Sequence, residues 1–128
     1  MSALSREGLG ICRRARDFHA NERHRRPILT CEAVLAEAAF HLRSSDPVLG
    51  MLRDRVVRVA FDCATHLQHL LDLSLRYADR RPDLADLCLI RMSELYPRHT
   101  VLTIDEADFR IYRRNKREAI PVLCPPKR

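Results

Sequence analysis

The stretch that most constrains this chain is 83–109, DLADLCLIRMSELYPRHTVLTIDEADF. Leu84, Leu87, Cys88 and Leu95 recur at helical spacing and predict an amphipathic helix opening at Asp83. Residues 100–104 (TVLTI) are rich in β-branched side chains and predict a buried strand of a parallel sheet. A helix that feeds such a strand points to an α/β architecture. Asp105 then stands at the carboxyl end of the strand, the edge where open α/β sheets bind ligands.

Two aspartate pairs frame the stretch, Asp83/Asp86 and Asp105/Asp108, and they have two readings. As local devices, Asp83 after Pro82 caps the helix, and Asp105 caps a short helix beginning at Glu106. As a set, carboxylates gathered from a helix start and a strand end repel unless a cation neutralises them. Hard oxygen donors of this kind suit Mg²⁺ or Mn²⁺.

Upstream, 27–30 (PILT) predicts a short strand, with Thr30 capping a helix over 32–43. The apolar stripe of that helix is Leu35, Ala38, Ala39 and Leu42, and Glu37 lies off its centre. Asp46, with Pro47 at the first helical position, starts another helix. Residues 56–61 (VVRVAF) predict a strand, and Asp62 opens the longest helix, to about Asp79. Leu67, Leu70, Leu71, Ser74 and Ala78 share one face of it. His66 and His69 lie three apart there, and with no third ligand nearby in sequence they read as solvated or helix-packing. Downstream, 109–114 continues a short helix, and 119–123 (AIPVL) predicts a final edge strand that tolerates Pro121.

DLADLCLIRMSE followed by VLTIDEADFRIYRR, with PILTCEAVLAEAAFHL and LRYADRRPDLADL upstream, resembles the PIN domain, the metal-dependent ribonuclease fold. The likeness is closest to the VapC-type toxins of bacterial toxin–antitoxin pairs and covers roughly 27–125. It implies a three-layer α/β fold with a mostly parallel central sheet flanked by helices. It also implies an endoribonuclease that hydrolyses RNA phosphodiesters with Mg²⁺ or Mn²⁺. A homodimer through the apolar faces of the amino-terminal helices follows from it, as does a cognate antitoxin peptide over the acidic cleft. Glu37, Asp86 and Asp105 match the family's acidic catalytic and metal-site residues. Asp108 matches a neighbouring acid that some members use; Asp83 matches a second acid of the DLAD motif and also suits a cap. Arg80, Arg81, Arg110, Arg113, Arg114, Lys116 and Arg117 flank the cluster and would hold RNA phosphates. Each of these basic residues also reads, individually, as a solvated charge.

The first part of the chain departs from the family. PIN domains begin with a strand that carries an aspartate, in the middle of the sheet and on the metal. Residues 1–26, MSALSREGLGICRRARDFHANERHRR, contain no apolar strand ending in Asp. They form a basic segment, outside the PIN-like domain of 27–128, with a helix from about Ile11 that is solvated or lies on RNA. Asp17 is the candidate replacement ligand. With its first strand absent or replaced, the sheet has an unpaired edge. Leu9 to Cys12 or a second copy fills it, or the domain is marginal. A catalytically impaired PIN-like module that retains antitoxin or RNA binding is the alternative reading.

Composition fits this picture. The chain has 128 residues, enough for one core, with 46% hydrophobic residues and three glycines, which excludes a disordered chain. A net charge of +6 favours a polyanionic partner such as nucleic acid. The five cysteines (Cys12, Cys31, Cys63, Cys88 and Cys124) form no CxxC. Cys63 and Cys88 lie among apolar residues and read as reduced, buried thiols. Nothing resembles a signal peptide and no apolar run reaches membrane-spanning length, so the expectation is a cytoplasmic protein without disulfides.

Overall fold

Two short apolar runs build the first sheet. Ile28–Thr30 (β1) and Val57–Val59 (β2) pair in parallel, Ile28 opposite Val57 and Thr30 opposite Val59. Parallel pairing needs a crossover, and two helices supply it, Glu32–Leu42 (α1) and Asp46–Arg53 (α2). Then follow Leu67–Arg76 (α3), a 3₁₀ turn at Ala78–Arg80, Leu84–Leu95 (α4), Val101–Leu102 (β3) and Glu106–Ile111 (α5). Three strands close the chain: Arg113–Arg114 (β4), Glu118–Ala119 (β5) and Val122–Leu123 (β6). This computed structural model describes residues 28–102 and 106–123, apart from the side chains of 102, 106–108 and 123. The described residues form a mixed α/β architecture, about half helical. β3 pairs in parallel with β6, and β4 and β5 form an antiparallel hairpin. Among the described residues the strands make three two-stranded sheets, not one continuous parallel sheet.

α4 is the helix around which the core forms. Ala85, Leu87, Cys88, Ile90, Met92 and Ser93 are buried around most of its circumference. It therefore packs against α1, α3 and β4 on different sides. Leu70, Leu73, Val101, Phe109, Tyr112 and Ile120 complete the cluster. Each large apolar side chain buried there contributes about 1.5–3 kcal/mol. The Tyr112 ring meets Tyr77 and Phe109 edge-on, with centroids 5.0 and 5.3 Å away. The Tyr77 hydroxyl accepts the Arg113 backbone N–H at 2.9 Å, which satisfies the polar tip of a half-buried ring. A second, smaller cluster forms where Met51 and Val57 meet Ile28, Leu35 and Leu42.

Several local expectations are corrected. Thr30 ends β1 and is buried; the residue at the start of α1 is Cys31, with no side-chain cap hydrogen bond. The fully buried residue of α1 is His41, while Leu35 and Leu42 are half-buried against the smaller cluster. Ser45, not Asp46, precedes α2, and Pro47 falls within its first turn. Asp62 does not open a helix. Its carboxylate accepts the Thr65 N–H at 3.3 Å and the Thr65 hydroxyl, and this local turn outcompetes helix until Leu67. α3 is consequently shorter than α4, and its buried face is Leu70 and Leu73. Leu67, Leu71 and Leu75 face solvent instead, and Ser74 and Ala78 are exposed. In α4, Leu84 and Leu95 sit at the exposed ends.

The carboxyl-terminal region differs most. The helix ends at Ile111, and after β4 Asn115 and Lys116 take φ of 49° and 69° and turn the chain back. Arg117 N–H donates to Arg114 O across this turn at 3.3 Å, the two left-handed residues being what a type I′ hairpin requires. The expected strand over 119–123 is broken at Ile120, which enters the core, and Pro121 O accepts the Val101 N–H at 2.8 Å.

Candidate functional site

Glu37 lies in the sixth position of α1, and its side chain is half-buried, 28% exposed. Its Oε1 is 3.8 Å from Nε2 of His41, one turn later on the same helix, an ion pair when the imidazole is protonated. His41 is almost fully buried. Its place beside Glu37 was not singled out in sequence, although the i, i+4 spacing was a readable signal.

Asp86 is the third residue of α4 and is also half-buried. Asp83 caps this helix: its Oδ1 accepts the Asp86 backbone N–H at 2.8 Å. A carboxylate in the first turn is stabilised by the helix dipole, so Asp86 suits its place electrostatically as well as chemically. α1 and α4 pack against each other, which puts Glu37 and Asp86 on one helix pair although they are remote in sequence. Their donors are hard oxygens, which fit Mg²⁺ or Mn²⁺ better than soft metals. Asp105 lies outside the described residues, as does Asp17, and of Asp108 the backbone alone is described, within α5. Among the described residues no three His, Cys, Asp or Glu side chains gather to hold a metal ion.

Of the two histidines of the α3 region, His66 is packed and His69 is exposed, with their ring centroids 6.2 Å apart. His66 stacks on Phe61, ring centroids 4.9 Å apart, and its Nδ1 accepts from Arg91 Nε at 3.3 Å. Arg91 also pairs with Glu94 at 3.1 Å, and Glu94 in turn accepts the Asn115 N–H at 2.6 Å.

The basic residues divide into two groups. Arg80 and Arg81 are exposed after α3, Arg110 is exposed on α5, and Lys116 and Arg117 are exposed in the hairpin turn. Lys116 stands at a cleft of about 390 Å³ whose other charged walls are Arg76, Arg91, Asp72 and Glu94. Arg113 is half-buried, and its guanidinium donates to Tyr112 O at 3.0 Å. Arg114 is buried. Its guanidinium pairs with Glu118 at 2.7 Å and donates to Pro97 O at 3.0 Å.

No helix among the described residues is long and apolar enough to cross a membrane. Compared with protein-family models and with curated proteins, the chain matches none.

Proposed function

We propose that this chain is a PIN-like endoribonuclease of the VapC toxin type, acting on RNA in the cytoplasm. Glu37, Asp86 and Asp105, with Asp108 beside them, hold Mg²⁺ or Mn²⁺. The observation that carries this reading is the packing of α1 against α4, the two helices that bear Glu37 and Asp86 of the family motif. When bound, the ion supplies charge neutralisation at the scissile phosphate and an activated water. The protein's part is positioning. Half-buried carboxylates on rigid helices keep their geometry, while Arg80, Arg81, Arg110, Arg113, Lys116 and Arg117 attract the RNA backbone. Arg114, committed to its internal partners, supports the hairpin that presents Arg113 and Lys116.

One observation favours the second reading, a catalytically impaired module that binds RNA or an antitoxin. The pairs β1–β2 and β3–β6 are not joined by a strand among the described residues. A PIN-like sheet that lacks its aspartate-bearing middle strand would be split in this way. Cleavage of a structured RNA with and without EDTA, beside a Glu37→Gln/Asp86→Asn double variant, decides between the two. The nuclease reading expects activity that EDTA and the double substitution both abolish. It also expects stronger cleavage with Mn²⁺ than with Mg²⁺, because Mg²⁺ demands near-ideal octahedral geometry that a reduced carboxylate set supplies poorly. RNA binding without cleavage under any metal supports the impaired module.

A further inference from the structure

Cys31, Cys63 and Cys88 come from three separate places in the chain and meet in the main core. Cys31 begins α1, Cys63 sits in the turn before α3, and Cys88 lies in the second turn of α4. Cys63 Sγ is 3.5 Å from Cys88 Sγ, and Cys31 belongs to the same core cluster. All three are free thiols. Their exposure is graded: Cys31 and Cys88 are at 1% and 0%, whereas Cys63 is partly exposed. Thiol–thiol hydrogen bonds are weak, so this grouping adds little to packing that small apolar side chains would not. What it does permit is redox chemistry with one accessible sulfur and one sheltered partner.

We propose that Cys63 and Cys88 form an oxidant-sensitive pair that closes to an intrachain disulfide. The oxidant class is a peroxide, small enough to reach the partly exposed Cys63. The Cys63 thiolate attacks one peroxide oxygen, the O–O bond breaks, and water leaves, giving a sulfenic acid at Cys63. The Cys88 sulfur then attacks the Cys63 sulfur, and the S–O bond breaks as the S–S bond forms. The departing hydroxide takes up the proton that the Cys88 thiol gives up and leaves as a second water. Two thiols lose two electrons and two protons in all, and one peroxide becomes two waters. The sulfurs must close from 3.5 Å to about 2.0 Å. Cys63 can supply that movement, since it lies in a turn while Cys88 is held in a packed helix.

The test uses the reduced full chain treated with hydrogen peroxide at neutral pH. Remaining thiols are then alkylated, the protein is unfolded, and its peptides are mapped by mass spectrometry without reduction. The expected product is a linked Cys63–Cys88 peptide pair, lighter by two hydrogens and reversed by dithiothreitol. Three results would overturn the proposal. They are Cys63 carried to sulfinic acid while Cys88 stays alkylatable, a link to Cys12 or Cys124, and a link between two copies of the chain. None of these readouts depends on nuclease activity.

Discussion

Arg114 shows how much a single side chain can be misjudged from its neighbours in sequence. Among the basic residues of 110–117 it reads as one more phosphate contact, yet its side chain is 9% exposed and joins the β4–β5 hairpin to the end of α4. Hydrogen bonds from a charged donor contribute about 1.5–3 kcal/mol. Arg114→Ala should therefore lower unfolding stability by about that much in urea. Arg114→Lys should recover only part of the loss, since it restores the charge but not the planar fork. Wild-type stability in Arg114→Ala would refute the structural role. The thiols give a second prediction at this scale, for protein kept reduced. The Cys31 pKa is lowered on folding, so its contribution is fully present above the ordinary thiol pKa of 9.0 and is lost as pH falls through about 7. Hydrogen bonding to Cys31 and burial raise Cys88 instead, and that contribution is lost only as pH climbs beyond the ordinary thiol range. Between pH 7 and 9, stability should thus rise with pH, and in Cys31→Ser the rise should flatten.

At the scale of elements, α4 was the most legible and α3 the least. α4 opens where Pro82-Asp83 says it should, and the Asp83 side chain makes the cap bond to Asp86. Asp83→Ala should cost about 1 kcal/mol, and Asp83→Asn should keep most of that. Chemical denaturation measures both, and equal losses in the two variants would show that the charge rather than the cap matters. For α3, leucines at 67, 70, 71, 73 and 75 satisfy more than one helical stripe. The side that faces inward is decided by contact with α4, which no local pattern contains. The hairpin at 113–119 was missed for a similar reason. Asn115 gives a weak turn signal without a following glycine, and Lys116 adopts a left-handed conformation that its type seldom takes.

At the scale of the whole molecule, the notable surface is apolar. Phe40 on α1 and Leu49 on α2 are 73% and 57% exposed. A groove between these helices is lined by Leu35, Ala39, Val48, Leu49 and Leu52. Exposed apolar patches of this kind mark association surfaces, and the homodimer implied by the family resemblance would use this one. Sedimentation should show a dimer whose dissociation constant rises in Phe40→Asp and further in Phe40→Asp/Leu49→Asp. A monomer at every concentration of the unaltered protein would count against it.

What the sequence determined by itself is local and periodic. The helix and strand character of most segments, the Asp83 cap, and the apolar runs that became β1, β2 and β3 follow from side-chain spacing and backbone preference, both of which act over a few residues. The tertiary structure decided what depends on partners distant along the chain. It chose the buried face of α3, put Arg114 inside, gathered Cys31, Cys63 and Cys88, and divided the described strands into three pairs. Glu37 and Asp86 were legible in the sequence as acidic side chains borne on two helices. Their sharing of one helix pair was not, because only the packing of α1 against α4 brings such remote positions together.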